Sequence, residues 1–234
     1  MANILLTGAS RGIGAATRSL LTTSGHTVIG QSTSGDDGLL ATDFAEPRAA
    51  DALWEAALAA ANGRIDVLVN NAGVFEAVDI AGSQDDFAAT WARSHAINLQ
   101  SAADLCRHAV LHFRAHGGGR IINVASRAGH RGDSPAHWHY AAAKGGMLAL
   151  TKTIARGYAL ENILAFAITP GFTMTGMAEE YLASRGGDKL LADIPLGRVA
   201  DAEEVAETIR WLAQDAPASL TGATLDINGA SYVR

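Results

Sequence analysis

The sequence is poor in cysteine, in basic charge and in long apolar runs. Its 234 residues include one cysteine, Cys106, which cannot form a disulfide within the chain and is typical of a reducing compartment. The 18 Lys and Arg residues are outnumbered by 24 Asp and Glu, and the net charge of −6 disfavours a nucleic-acid partner. No apolar run approaches the ~20 residues that span a bilayer, and no apolar leader precedes the first strand-like run. These absences predict a cytoplasmic protein that binds neither membranes nor nucleic acid.

The apolar pattern predicts an α/β fold. Hydrophobic residues make up 48% of the chain, enough for a large core, and short apolar runs alternate with amphipathic segments of helical length. Predicted strands cover residues 4–7, 27–30, 39–42, 65–69, 120–125, 163–168 and 223–227. Predicted helices cover residues 13–23, 48–61, 85–116, 139–160 and 203–213. Residues 31–39 leave barely enough room for a crossover helix, so we expect a loop there. The order predicts a single-domain, doubly wound parallel sheet with helices on both faces.

A glycine-rich turn, TGASRGIG at residues 7–14, follows the first predicted strand and opens the first predicted helix. Glycines let the backbone turn sharply and approach a phosphate, and a helix N-terminus offers N–H groups and a positive dipole to it. A tight turn without a ligand is the alternative interpretation. The candidate phosphate-binding residues are Gly8, Ser10, Arg11, Gly12, Ile13 and Gly14.

The glycine spacing, together with a series of later motifs, resembles the short-chain dehydrogenase/reductase family. The motifs are NNAG at 70–73, INL at 97–99, NVAS at 123–126, YAAAK at 140–144, PG at 170–171, IPLGR at 194–198 and TG at 221–222. Within that family the pattern is most similar to the 3-oxoacyl-(acyl-carrier-protein) reductase type. The resemblance covers nearly the whole chain and implies a Rossmann fold over residues 1–234, a hydride-transferring enzyme for ketones and secondary alcohols, and a homotetramer built through residues 85–116 and 139–160.

Four residues form the candidate catalytic set: Asn98, Ser126, Tyr140 and Lys144. Tyr140 and Lys144 are four residues apart and share one face of a helix, where an ammonium favours the phenolate and lowers the phenol pKa. The resemblance implies that Tyr140 transfers the proton, that Ser126 donates a hydrogen bond to the substrate oxygen, and that Asn98 holds a water linked to Lys144. Taken singly, each has an ordinary alternative: a helix-surface pair, a loop cap or a solvated helical amide.

The region after the second predicted strand favours NADP(H) over NAD(H). An acidic residue at the strand tip would bind the ribose 2′-hydroxyl and repel a 2′-phosphate, and residues 28–34 contain none. Arg11 can bind a phosphate, and Ser32 and Thr33 can add neutral hydrogen bonds. Asp36 and Asp37 follow closely and keep NAD(H) as an alternative.

The resemblance also implies the remaining cofactor contacts. Asp43 and Phe44 would meet the adenine, although Asp43 also suits the cap of the following helix. Asn70, Ala72 and Gly73 would form the ribose-side wall. Contacts at the nicotinamide and phosphates would come from Tyr140, Lys144, Pro170, Gly171, Thr173 and Thr175. Residues 174–193 would form a mobile substrate lid, flexing at Gly186 and Gly187.

The expected substrate is a small ketone or alcohol, and a 3-oxoacyl carrier substrate is the alternative. Arg114 is a candidate basic residue at the site entrance for an acidic carrier protein. Glu161, however, stands where a basic residue is expected, and Phe166 stands where that reductase type has asparagine. The net negative charge also repels an acidic partner.

Two further function classes give different expectations. A non-catalytic nucleotide-binding sensor would have lost the tyrosine or the lysine, and an enoyl reductase would space them more widely.

Residues 127–139 should line the substrate side, where an arginine can bind a carboxylate or simply face solvent. The histidines there have no Cys or acidic partner set, and we predict no metal site.

Overall fold

The apolar runs pair into a parallel sheet in the computed structural model, which describes residues 1–174 and 187–234. The strands are β1 Asn3–Leu6, β2 Thr27–Ser32, β3 Leu40–Ala41, β4 Val67–Asn70, β5 Gly119–Val124, β6 Ile163–Pro170 and β7 Thr224–Ile227. Their order is β3-β2-β1-β4-β5-β6-β7, and every pairing is parallel. The order reverses at β1, between β2 and β4, so the carboxyl ends of these strands open a crevice where such sheets bind ligands. The predicted doubly wound fold is confirmed.

Helices cover both faces of the sheet. They are α1 Gly12–Thr23, α2 Ala49–Ala60, α3 Gln84–His95, α4 Ser101–Ala115, α5 Ala128–Arg131, α6 Trp138–Tyr158, α7 Gly187–Ala192 and α8 Ala202–Gln214. The predicted helix over 85–116 is divided, because a π-helical turn at Ala96–Gln100 joins α3 to α4. No helix in residues 1–174 or 187–234 is long and apolar enough to cross a membrane.

Strand alternation divides the core into two layers. Leu5 and Ile121 face one layer, which packs against α2, α4 and α6. Leu6 and Ile122, their chain neighbours, face the other layer with α1 and α8. Successive side chains on a strand point to opposite faces, so a strand that is covered on both sides must be apolar throughout. This burial fixes the sheet and holds the loops at its carboxyl edge.

The connection between β2 and β3 contains no helix, as its length predicts. Gly35 and Gly38 adopt positive φ there, at +79° and +75°. Gly35 N donates to Ser32 Oγ at 3.0 Å, so a hydroxyl of the strand end closes the turn. The short connection keeps Ser32 beside the glycine-rich turn that follows β1.

Candidate active site

A cavity of about 500 Å³ lies at the carboxyl ends of β1, β2 and β4. Twelve of the predicted cofactor-binding residues line it: Gly8, Ser10, Arg11, Gly12, Ile13, Gly14, Ser32, Thr33, Asp43, Phe44, Ala72 and Gly73. Asn71 of the NNAG motif lines it as well. So do Gln31, Val74, Arg93 and Ile97, which the sequence had not indicated. The cavity therefore joins the predicted phosphate, adenine and ribose contacts in one space.

The glycine turn has the shape of a phosphate cradle. Gly8 and Gly12 have φ of +65° and +52°, which other residues rarely adopt. A Cβ on Gly14 would lie 1.9 Å from the Gly8 carbonyl oxygen, so only glycine lets α1 begin this close to the turn. No side chain caps the amino end of α1 and its first turn has no acidic residue, which leaves the positive dipole for an anion. These features fit the diphosphate of a dinucleotide.

Gln31 holds this turn in place. Its side chain is buried, and its Oε1 accepts from Gly8 N at 2.8 Å while its Nε2 donates to the Thr42 carbonyl at 2.8 Å. One amide thus links the turn after β1 to the end of β3. The sequence contains little signal for this role, because Gln31 is the first of four consecutive polar residues, 31–34.

The end of the cavity next to β2 contains the residues that distinguish the two cofactors. Arg11 and Thr33 are exposed, and within the described ranges the Arg11 guanidinium forms no hydrogen bond or ion pair. Asp36 and Asp37 are also exposed, but they do not line the cavity. A free guanidinium that faces the cavity suits a phosphate better than a ribose hydroxyl.

The two asparagines after β4 have different positions. Asn70 is buried between strands, where its Nδ2 donates to Asn123 Oδ1 at 2.8 Å, and it does not line the cavity. Asn71 lines the cavity instead, and its Nδ2 donates to the carbonyls of Thr7 and Gly8 at 3.0 and 3.1 Å. Alternating strand geometry turns neighbouring side chains to opposite sides, and the sequence alone did not tell which one faces the ligand.

Asp43 does not cap the following helix, because α2 begins at Ala49 with Arg48 as its N-cap residue. Asp43 lines the cavity beside Phe44, and its Oδ1 accepts from Ala45 N at 2.9 Å. That hydrogen bond closes the turn that leads toward α2. The second oxygen is left for a ligand.

The catalytic candidates meet beside this cavity. Ser126 lies just beyond β5, close enough to the Tyr140 phenol in the first turn of α6 to lower the pKa of that phenol. Lys144 follows one helical turn later, buried, with its Nζ 5.8 Å from the centre of the Tyr140 ring. The structure therefore brings Ser126, Tyr140 and Lys144 together as the sequence predicts.

Burial shifts the pKa values of the phenol and the ammonium in opposite directions. It raises the pKa of Tyr140 to about 12, with a smaller rise from Asp133 and a partial offset from the Ser126 hydrogen bond. It lowers the pKa of Lys144 to about 8. The Lys144 ammonium donates to the Val124 carbonyl at 2.8 Å. Loss of solvation thus shifts the Tyr140 pKa in the direction opposite to the lowering expected from Lys144.

Asn98 lies in the π-helical turn and is fully buried. Its Oδ1 accepts from Val74 N at 3.0 Å, and its Nδ2 donates to the Val74 carbonyl and to Ser94 Oγ at 3.0 Å each. These hydrogen bonds rule out the solvated alternative. A Cβ on Gly73 would lie 2.8 Å from Asn98 Oδ1 and 3.6 Å from Lys144 Nζ, so the glycine keeps the space between them open.

The predicted nicotinamide segment lies at the end of β6. The Pro170 carbonyl accepts from Arg127 N at 3.2 Å, which ties the segment to the residue after Ser126. A Cβ on Gly171 would lie 3.0 Å from Asn228 Cα, and Thr173 Oγ1 donates to the Gly171 carbonyl at 3.3 Å. These residues do not line the cavity. Thr175, and residues 175–186 of the predicted lid, lie outside the described residues.

The segment after Ser126 forms ion pairs with the residues beyond α7. Arg127 Nη1 lies 3.5 Å and Arg131 Nη2 2.9 Å from Asp193 Oδ2, and the Arg127 guanidinium lies 5.4 Å from the Phe172 ring centre. In the two described stretches of chain, no three His, Cys, Asp or Glu side chains come together as metal ligands. The arginines thus bridge the serine segment and the C-terminal part of the chain.

Arg114 does not lie at the entrance of its own chain's site. It ends α4 and pairs with Glu161 Oε2 at 2.5 Å, just before β6. Helix-to-strand connections lie at the amino edge of a parallel sheet, opposite the cavity. Arg114 therefore lies far from the entrance of its own chain's cavity, and Glu161 neutralises its charge. Both observations argue against the expected entrance role within one chain.

Comparison with known proteins gives one family over almost the whole chain. A family model described as enoyl-(acyl carrier protein) reductase matches residues 8–230. The 3-oxoacyl-[acyl-carrier-protein] reductases of Vibrio cholerae and Escherichia coli are 34% and 32% identical, each over 98% of this chain and 96% of the relative. The cis-4-hydroxycyclohexanecarboxylate dehydrogenase of Sinomonas cyclohexanicum is 36% identical over 96% of this chain and 94% of its own. The relatives thus match this chain from end to end.

Proposed function

The chain belongs to the short-chain dehydrogenase/reductase family and is an NAD(P)-dependent oxidoreductase, and we propose that it is a carbonyl reductase that interconverts a ketone and a secondary alcohol with NADP(H). The observation that carries the proposal is the placement of Ser126 beside the Tyr140 phenol, where it lowers the pKa of that phenol, with Lys144 one turn further along α6. This set lies beside a cavity that suits a dinucleotide. The domain of residues 1–234 would bind the cofactor, and residues 174–193 would cover the substrate.

In the reduction, Tyr140 donates its phenolic proton to the substrate oxygen while Ser126 donates a hydrogen bond to the same atom. A positioned proton donor and a second hydrogen bond stabilise the negative charge that develops on that oxygen. When bound, the dinucleotide supplies the hydride for reduction or accepts it in oxidation. The glycine turn, Arg11 and the Asn71–Gly73 wall would hold it, and its positive oxidised ring would favour the phenolate as well.

Lys144 would return the proton to Tyr140. The open space that Gly73 leaves between Lys144 Nζ and Asn98 Oδ1 suits a water that links the ammonium to solvent. Asn98 is a positioning residue, because its side chain is fixed by Val74 and Ser94 rather than by the reacting atoms. The proposed catalytic residues are therefore Ser126, Tyr140 and Lys144, and Asn98 acts through the lysine.

The preference for NADP(H) rests on Arg11. Its guanidinium faces the cavity without a partner in the part of the chain that the structure describes. Ser32 and Thr33 lie in the same wall and can add hydrogen bonds to a 2′-phosphate. NAD(H) is the alternative, for which Asp36 or Asp37 would have to move to the ribose.

A 3-oxoacyl-(acyl-carrier-protein) substrate is the second candidate, favoured by the names of the relatives with 32% to 35% identity. The net charge of −6 and the neutralised Arg114 weigh against an acidic carrier protein. The name of the 36% identical relative specifies a dehydrogenase of a hydroxyl group on a ring. The names of these relatives thus describe reactions at a carbonyl or hydroxyl carbon, as proposed for this chain. The proposed assembly, which follows from the family resemblance, is a homotetramer.

The test is the Tyr140→Phe variant on a panel of ketones and an acetoacetyl thioester, with Tyr158→Phe on the same helix as the control. We expect Tyr140→Phe to lower kcat by about 100-fold or more, because it removes the proton donor. Cofactor binding, measured as a thermal shift, should be retained in both variants. Unchanged turnover in Tyr140→Phe, or cofactor binding without turnover of any panel member by the wild-type protein, would contradict the proposal.

A further inference from the structure

Phe75 places an exposed apolar surface beside the catalytic phenol. It lies two residues after Gly73, and 41% of it is exposed. Its ring centre is 4.9 Å from that of Tyr140, with the planes at 81°, an edge-to-face contact. An aromatic ring in contact with Tyr140 and open to solvent is available to a substrate bound at the phenol.

His137 backs Phe75 on the other side. The two rings are parallel, with centres 3.8 Å apart and planes at 1°. Ser134 Oγ bonds His137 Nδ1 at 2.7 Å, and Val78 N donates to the Ala136 carbonyl at 3.0 Å. The loop that carries Phe75 is therefore tied to the loop that carries His137. The two rings form a preformed surface, called here the aromatic wall, which needs little ordering when a ligand binds.

The charges around the aromatic wall balance each other. Arg127 and Arg131 both pair with Asp193, and Asp133 Oδ1 lies 3.9 Å from His137 Nδ1. These two guanidiniums and two carboxylates sum to zero charge, and Glu76, which follows Phe75 in the chain, is paired with Arg93. Burial lowers the pKa of His137, which favours its uncharged form. A flat, uncharged surface favours a flat or cyclic, uncharged ligand.

We propose that the aromatic wall of Phe75 and His137 determines substrate specificity, and that it selects ketones and alcohols whose reacting carbon lies on or next to an uncharged ring. The proposal rests on the proposed oxidoreductase function and names its substrate class. A ring packs against the exposed part of Phe75 while its carbonyl oxygen meets Tyr140 and Ser126. A flexible chain of the same size would lose more rotational freedom for the same contact.

The test compares two ketones with eight carbons each, cyclohexyl methyl ketone and 2-octanone, by kcat/KM with the wild-type protein. We expect the ring ketone to be preferred by about tenfold or more. Phe75→Ala should lower kcat/KM for the ring ketone about tenfold and change that for 2-octanone by less than about twofold. His137→Phe should keep the preference, because it keeps the stack, while His137→Ala should reduce it.

Trp138→Ala is the matched control, since this exposed ring contacts Phe87 rather than Tyr140. It should leave the ratio of the two ketones unchanged, with assembly verified by gel filtration. Turnover of 2-octanone at least equal to that of the ring ketone, or equal losses for both ketones in Phe75→Ala, would overturn the aromatic wall while leaving the oxidoreductase function intact. No turnover of either ketone or of the thioester would instead overturn the proposed function together with this inference.

Discussion

At the scale of single residues, the site buries two ionisable side chains, Tyr140 and Lys144, where loss of solvation disfavours their charged forms. Burial raises the pKa of Tyr140 to about 12 and lowers that of Lys144 to about 8. Among the described residues, the Lys144 ammonium donates one hydrogen bond, to the Val124 carbonyl. A buried lysine of this kind serves catalysis at a cost in stability. Removing the Lys144 charge should therefore lower activity and raise stability.

Lys144→Met should abolish most turnover and stabilise the cofactor-free protein at pH 7. A pKa lowered from 10.5 to about 8 means that the unfolded chain binds the proton more tightly than the folded chain. At about 1.4 kcal/mol per pKa unit, the ammonium costs up to a few kcal/mol of unfolding free energy below pH 8. The difference between variant and wild type, measured by urea unfolding, should shrink as pH rises from 8 to 10. A variant that is less stable than the wild type at pH 7 would contradict this account.

Gly73→Ala should lower kcat without releasing the cofactor. The added methyl group would lie 2.8 Å from Asn98 Oδ1 and 3.6 Å from Lys144 Nζ, in the space assigned to the relay water. We expect a loss of about tenfold to 100-fold in kcat, the range of a proton-transfer contribution. Gly157→Ala is the control, because its Cβ meets no heavy atom within 4 Å. Equal steady-state rates for Gly73→Ala and the control would argue against a relay at this position.

The sequence predicts the residue types of the site better than it predicts their orientation. The glycine turn is a local pattern, so its residues line the cavity as expected. Asn70 and Asn71 carry the same side chain, and only the strand pairing shows that Asn71 faces the cavity. The Gln31 and Lys144 side chains are held by hydrogen bonds to the carbonyls of Thr42 and Val124. A local sequence pattern does not predict these contacts, because the partners lie in other parts of the chain.

At the scale of secondary-structure elements, periodicity identifies the strands and helices but does not reveal the turn between α3 and α4. Residues 85–116 have a continuous helical pattern, and the structure inserts a π-helical turn at Ala96–Gln100. That turn buries Asn98, whose side chain forms hydrogen bonds with Val74 and Ser94. A π-helical turn within a helix often marks a functional position, and here it carries the candidate relay residue.

Acid should loosen the junction of α4 and β4. His112 Nε2 accepts from Ile65 N at 3.2 Å, which only an unprotonated nitrogen can do. Burial and then His116 lower the pKa of His112 below its usual value of 6.5. A lowered folded-state pKa stabilises the fold above about pH 6.5, and this contribution is lost as pH falls through the folded-state pKa.

We therefore expect the unfolding free energy to fall from pH 7 to pH 5, with less than about 1 kcal/mol from His112 after solvent screening. In His112→Gln an amide oxygen can accept the same bond without titrating, so this part of the pH dependence should vanish. Thermal unfolding at matched ionic strength measures both proteins. An identical pH dependence in the two would show that the junction does not sense acid.

At the scale of the whole molecule, the sheet order determines where chemistry can occur. Strand order reverses at β1, and the cavity opens at the carboxyl ends beside it. The length of the chain and its alternating apolar runs were sufficient to predict this architecture. Arg114 shows the limit of that prediction, since its position relative to the site depends on which edge of the sheet its helix reaches.

The cofactor preference should be visible in the stability of the whole protein. NADPH should raise the melting temperature more than NADH at equal concentration, because, of two ligands that bind only the folded state, the tighter one stabilises it more. Arg11→Ala should remove most of the difference, while Arg18→Ala, whose guanidinium bonds the Asp37 carbonyl, should retain it. A larger shift with NADH would assign the ribose to Asp36 or Asp37.

The most direct test of hydride transfer at the Tyr140 site follows the hydride itself. The wild-type protein is incubated with cofactor labelled with deuterium on the transferable position and with the ketone panel, and products are analysed by mass spectrometry. The account predicts a secondary alcohol with one deuterium on its carbinol carbon and none with Tyr140→Phe over the same time. Labelled cofactor that binds but leaves every panel member unlabelled would contradict it and identify the chain as a nucleotide-binding protein without this activity.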